Sequence, residues 1–211
     1  MEIINDIIAS IRQTARNAAE HEEYPTCPGI YSFVLAGNST LKNFGKNGQI
    51  IYVGIAKESL KQRDLNTHFK TGSTGHSTLR RSIGAVLKQE LKLTALTRNG
   101  TTVKRAIDHY RFDLDGDIRL SDWMQENLRI GFWEDHNRLP YKTLRDMEEA
   151  ITRELKPTLD LDNRTRKYNH LATLLLSLRE FAKRRLIQTL KLILFYKRTF
   201  VLILSSKTGA V

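Results

Sequence analysis

Residues 28–35 read PGIYSFVL and residues 49–56 read QIIYVGIA. Both runs are short, rich in β-branched and aromatic residues, and bounded by glycine and asparagine, which is the pattern of two strands in a hairpin. The strands are expected over 30–35 and 50–54. The interval AGNSTLKNFGKNG (36–48) carries turn residues throughout and predicts a long, exposed tip. Each strand holds a tyrosine close to a glycine, Tyr31 and Tyr52. Cross-strand aromatics ordinarily stabilise a hairpin, so the rest of the chain has to decide whether these two do more.

Working outward, the 211 residues fit one domain with attachments. Ile4, Ile7, Ile8 and Ile11 with Ala15 and Ala18 keep the spacing of an amphipathic helix at the start. The run 57–69 is a charged turn leading into a helix, and TGSTG (71–75) reads as a flexible loop. HSTLRRSIGAVLKQELKLTAL (76–96) reads as a helix that Ser77 or Thr78 caps, with Leu79, Ile83, Val86, Leu87 and Leu91 on one face. Residues 107–114 and 129–133 are strand-like, separated by a short helix that Ser121 could cap. Residues 144–155 form a further helix, stopped by Pro157. This order predicts a small mixed α/β (α+β) domain with a short central mixed or antiparallel sheet flanked by helices. The division expected is an N-terminal helix (1–23), a domain (24–163) and a basic, apolar helical tail (164–211).

The formal charge is +11, and its distribution says more than its total. Residues 1–56 carry net −1, 57–105 net +8, 106–163 net −6 and 164–211 net +10. A basic middle beside an acidic flank suits a surface that holds phosphate on one side and a cation on the other; solvated helix faces are the plainer explanation. Cys27 is the single cysteine, which excludes an internal disulfide and a Cys-based metal cluster, and is read as packed. No secretory signal is read, and Lys191, Lys197 and Arg198 interrupt the apolar tail too often for a bilayer-spanning segment. A cytoplasmic setting is expected. The tail 184–211 alternates basic and large apolar residues, as in segments that lie on a membrane surface or a partner helix.

Gly29-Ile30-Tyr31 and Tyr52-Val53-Gly54 resemble the signature of the GIY-YIG nuclease family, and the residues beyond them keep that family's order. Arg63 lies eleven residues past Tyr52; Thr67-His68-Phe69 supplies a His-aromatic pair; His76 to Arg81 begins a basic helix; Glu148 precedes Pro157 by nine residues. Two departures stand out: Arg63 sits one residue late, so the helix start must absorb an insertion, and Asp160 stands where the family has asparagine, with Asn163 three residues later. The resemblance covers about residues 28–160. It implies Tyr31 as general base or water-positioner, Tyr52 as its partner, Arg63 on the phosphate, His68 assisting proton transfer and Glu148 on a metal, Mg²⁺ or Mn²⁺. A lone carboxylate suits Mg²⁺, which keeps most of its waters. A tyrosine can take a proton from water only if a cation lowers its phenol from the ordinary ~10. Glu149 competes with Glu148, which is preferred because it edges the apolar stripe of Leu144 and Ile151.

The expected function is therefore metal-dependent hydrolysis of DNA phosphodiesters by an endonuclease of restriction or repair type. Lys57, Lys61, Lys70, His76, Arg80 and Arg81 are the expected phosphate contacts. RNA stays open as substrate, as does a protein partner or a homodimer. The rival is a non-catalytic nucleic-acid- or partner-binding module on the same scaffold. FDLDGDIRL (112–120) lacks EF-hand spacing and is read as a turn between strands, and TGSTGHS lacks the Lys-Ser/Thr of a P-loop.

Overall fold

The computed structural model describes residues 2–207, with side chains through Leu192. In chain order the elements are α1 (Glu2–Gln13), β1 (Gly29–Leu35), β2 (Ile50–Ala56), α2 (Leu60–Arg63), α3 (Thr78–Val86) and β3 (Ala95–Leu96). They continue with α4 (Lys104–Asp108), β4 (Arg111–Phe112), α5 (Leu114–Asn127), β5 (Leu128–Glu134), α6 (Tyr141–Leu155) and α7 (Ala172–Lys207). β1 is the middle strand of an antiparallel sheet ordered β2–β1–β5, and β3 pairs with β4 in a separate two-stranded ribbon. This is the expected mixed α/β architecture, a small sheet flanked by helices.

All seven residues of β1 are buried, because helices cover both faces of the sheet. Alternation sorts its side chains. Ile30 and Val34 meet Ile7 and Ile11 of α1 and Leu144 and Ile151 of α6. Tyr31, Phe33 and Leu35 face the larger core of Leu60, Leu79, Ile83, Met124 and Leu175. The end of α1 also closes the edge of β5: Thr14 Oγ1 donates to the Phe132 carbonyl at 2.9 Å and accepts its N–H at 2.8 Å. An edge so covered offers no unpaired strand to another chain. Leu175 and Ala182 of α7 are buried in the larger core, so the start of the expected tail is packed with the domain. Of residues 184–211, on which the membrane-surface reading of the tail rests, the side chains of 193–211 lie outside the described residues.

Several local expectations give way. The hairpin tip is not wholly exposed, because Leu41 and Phe44 fold back into the core. The helix from Thr78, capped by Ser77 as expected, ends at Val86 rather than running to residue 96. Only Arg111 and Phe112 of 107–114 are strand, and Leu114 opens α5, so FDLDGDIRL is mostly helix and Ser121 lies inside that helix rather than capping one. The reason is Asp117. Its buried carboxylate accepts the Gly72 N–H and the Thr74 hydroxyl and pairs with Arg80, which needs a helix to aim it inward. The same bonds pin the TGSTG loop, which the sequence reads as flexible.

Candidate active site

The register of the hairpin sets Tyr31 directly opposite Gly54. A Cβ at position 54 would lie 2.5 Å from the Tyr31 phenol, so the glycine is the space the ring occupies. Gly29 is constrained in the same way, since a Cβ there would enter the Trp133 carbonyl oxygen across the β1–β5 pair. The two glycines of the sequence signature thus let strands and ring approach closely. Tyr52 lies diagonally across, its ring stacked at 26° to that of Tyr31 with centroids 6.2 Å apart.

Two nitrogens converge on the Tyr31 oxygen: Arg63 Nε donates to it at 3.2 Å, and His68 Nε2 lies 2.8 Å away. His68 Nδ1 is 2.7 Å from Ser77 Oγ, which also caps α3 by accepting the Arg80 N–H. His68 thus bridges Tyr31 and Ser77 through its two ring nitrogens, and the direction of both bonds follows the tautomer. His68 is fully buried, and burial holds its imidazole well below the ordinary value, with Arg63 and Arg80 adding to the effect. It is neutral.

Arg63 and His68 reach one oxygen because the chain between them winds as a π-helical turn, Asp64–His68. One extra residue per turn is a recognised device at functional sites. Buried Asp64 anchors the turn by accepting the Tyr24 hydroxyl at 2.7 Å, a bond across 40 residues that no local pattern announces. Arg63, one of the two cations expected to lower the phenol, acts in that direction. Burial and then Tyr52 push Tyr31 well above its ordinary value, and Arg63 only opposes them.

Tyr31, Tyr52, Arg63 and Glu148 all line one cavity of about 410 Å³. Glu148 is buried on α6 and Arg164 Nη2 donates to its Oε2 at 2.7 Å. Burial raises the Glu148 carboxyl and Arg164 opposes that shift. Glu149 points away, to Lys167 and Tyr168. Asp160 also lines the cavity; its Oδ1 accepts the Val53 N–H at 3.3 Å, and Asn169 holds the same loop through the Thr158 and Asp160 carbonyls. Burial first, and Glu148 second, keep the Asp160 carboxyl well above the usual range. Both causes favour the protonated form, which would present uncharged polar groups as an asparagine there does. Asn163 is exposed.

The family model of the GIY-YIG catalytic domain matches residues 29–181. The chain belongs to the GIY-YIG family. No curated protein and no solved structure matches it. GIY-YIG domains are generally nucleases, and the match extends past Asp160 to the first turns of α7, where the core residue Leu175 lies.

The donor set suits the divalent cation that GIY-YIG nucleases use. Glu148 presents carboxylate oxygens at the cavity, and Asp162 adds oxygens to its lining, which includes no cysteine and a single histidine, His109. Oxygen ligands of this kind fit a hard cation such as Mg²⁺. A second group, Cys27, Glu134 and His136, brings ligand-type atoms within 4.8 Å of one another but shares no residue with the cavity. Among the described residues no helix is long and apolar enough to cross a membrane.

The expected phosphate contacts divide sharply. Lys57, Lys61, Lys70 and His76 are exposed, with Lys57 Nζ 5.6 Å over the Tyr141 ring and His76 held by Arg98. Arg80 is a correction, because its side chain is fully buried and its guanidinium is spent on Thr74, the His68 and Asp117 carbonyls, Ser121 and the Asp117 carboxylate. No phosphate can reach it. Arg81 is buried as well, yet it lines the cavity. Sequence reasoning missed Asp64, Arg164, Asn169 and Arg179; Asp64 is bonded to Tyr24 and Arg164 to Glu148, 40 and 16 residues away.

Proposed function

We propose that this GIY-YIG protein is a divalent-metal-dependent endonuclease that hydrolyses DNA phosphodiesters. The observation that carries the reading is the convergence of Tyr31, Tyr52, Arg63 and Glu148, drawn from β1, β2, α2 and α6, on a single cavity. A phosphodiester resists attack because it is anionic, so its hydrolysis needs an oriented water and positive charge at the phosphoryl oxygens. Arg63 supplies part of that charge, and its Nε–H stabilises the Tyr31 phenolate, the form of the side chain that can take a proton from the water. Tyr52 packs the phenol in place. Glu148, with Asp162 near it, would hold the cation, whose chemistry when bound is to neutralise the phosphoryl oxygens. Lys57, Lys61, Lys70 and His76 are the exposed groups proposed to meet the backbone.

The binding-module reading is favoured by one contact, the Arg164–Glu148 ion pair, which occupies a carboxylate oxygen that a cation would need. Nicking of supercoiled plasmid in Mg²⁺, with DNA affinity measured alongside, separates the two. The nuclease reading expects nicking by the native chain, a fall of about 10²-fold or more in Glu148→Gln and Tyr31→Phe, and near-native DNA affinity in both. Binding without nicking by the native chain makes the module reading correct.

A further inference from the structure

The cavity that holds the two tyrosines carries more positive charge than one phosphate group needs. Besides Arg63 and Arg164 it is lined by Arg81 of α3 and Arg179 of α7. Arg164 is answered by Glu148, Glu149 and Asp162. Among the described residues, no carboxylate lies within ion-pair distance of Arg81 or Arg179.

Arg81 is the unusual member. Its side chain is only 4% exposed, and its Nη1 and Nη2 are tied to the Thr74 carbonyl at 2.9 Å and Thr78 Oγ1 at 3.2 Å. These bonds fix the guanidinium plane, while its Nε–H, also buried, has no partner. A buried donor left unpaired is costly unless something occupies the site. Burial and then the neighbouring Arg179 bring Arg81 down to about 10, so it stays charged at neutral pH with a second cation beside it. Two guanidiniums on one cavity wall, neither with a carboxylate partner, make a place for an anion, and planar donors of this kind suit phosphate.

We infer that Arg81 and Arg179 form a second phosphate subsite, which takes a backbone phosphate of the substrate strand next to the one being cleaved. This rests on the nuclease reading for the identity of the strand, but the anion site itself stands on Arg81 and Arg179. It gives α7 a task beyond packing, since its Arg179 completes a site begun by α3. A strand held at two phosphates is fixed in direction as well as position, which is what an in-line attack at one of them requires.

The test uses the full chain, Arg179→Gln, and Arg184→Gln as control. Arg179 is half-buried at the surface of α7, so its replacement leaves the core intact, and Arg184 is an exposed residue of the same helix outside this cavity. Two measurements are made on each: affinity for a 20-base-pair DNA duplex over a salt series, and the rise in melting temperature caused by inorganic phosphate against chloride at equal ionic strength. Arg179→Gln is expected to weaken duplex binding about tenfold and to reduce the salt slope by about one, as loss of one phosphate contact does. It is also expected to lose the phosphate-induced stabilisation, with Arg184→Gln close to native on both. Native-like affinity, slope and phosphate response in Arg179→Gln overturn the subsite while leaving the nuclease reading standing. Equal losses in Arg184→Gln overturn it too, because they are bulk charge. If the native chain binds no duplex, the nuclease reading fails, and the phosphate response alone then decides the anion site.

Discussion

Tyr31 and Gly54 occupy one position in space: they face each other across the β1–β2 register, and the phenol fills the volume that any side chain at 54 would claim. Gly54→Ala puts a methyl group 2.5 Å from a ring that is buried and cannot swing out. We expect a loss of about 1–3 kcal/mol in denaturant unfolding, typical of overpacking, and a drop in plasmid nicking larger than that of a surface variant of equal stability. Native nicking by the alanine variant would show that the phenol's position does not matter.

A second prediction concerns pH and rate. Burial holds the Tyr31 phenol well above its ordinary value, so the fraction able to take a proton is small at neutral pH and grows with each unit of alkalinity. Nicking is expected to rise about tenfold per pH unit from 7 to 9 without levelling, the behaviour of a base far below its pKa. Tyr31→Phe should flatten the profile. A plateau below pH 8 in the native chain contradicts the assignment.

Asp160 gives a prediction that reads stability alone. Its folded-state pKa lies well above the ordinary carboxyl value of 3.8, so the native chain keeps a proton that the unfolded chain has released. Its stabilising contribution is complete below the unfolded value and is lost as pH rises through the folded one. Asp160→Asn does not titrate and keeps a carbonyl for the Val53 N–H. Its melting temperature should match the native chain near pH 4 and exceed it increasingly toward neutrality. A constant difference between the two proteins across that range would mean that Asp160 is ionised in the fold.

On the proposed reading, Arg164 and a divalent cation compete for the Glu148 carboxylate. Arg164→Gln is expected to lower stability in chelator, because it leaves Glu148 buried without its 2.7 Å partner, and to show a larger Mg²⁺-induced rise in melting temperature than the native chain does. The measurement is a thermal scan with and without Mg²⁺. If the variant gains no more from Mg²⁺ than the native chain, Glu148 is not the ligand.

Arg80 serves the core rather than the substrate, and its removal should show as instability. Arg80→Ala leaves Asp117 charged and buried with its partner gone, which typically costs about 3–5 kcal/mol. Chemical denaturation should reveal that loss. If the variant keeps its stability and only DNA affinity falls, Arg80 meets phosphate after all.

How much of the fold and the site is legible in the sequence depends on the range of the interaction. The strands of the hairpin, the cap at Ser77 and the stop at Pro157 are written in neighbouring residues, and periodicity places Glu148 at the edge of an apolar stripe. The strand expected over 107–114 fails because Asp117 takes its conformation from Arg80 and Thr74, 37 and 43 residues away. Short-range pattern sees an acidic turn there, and the tertiary partners decide for a helix. Likewise Arg80 and Arg81 are adjacent letters read as having one role; helical geometry sends one into the core and the other to the cavity wall. The state of Asp160 is hidden for a related reason, because only burial distinguishes a neutral carboxyl from a charged one.

The packing of α7 against α3 and the larger core has a consequence for how the protein is made. Synthesis runs from the amino end, and a chain interrupted before residue 172 already contains both tyrosines, Arg63, His68 and Glu148. It lacks Leu175 and Ala182, which close the core behind the tyrosines, and Arg179, which completes the cavity wall. Domains fold as units, so a nascent or truncated product stays incompetent until nearly the whole domain has emerged. On the proposed nuclease reading, the order of the chain itself would then act as a safety catch during translation.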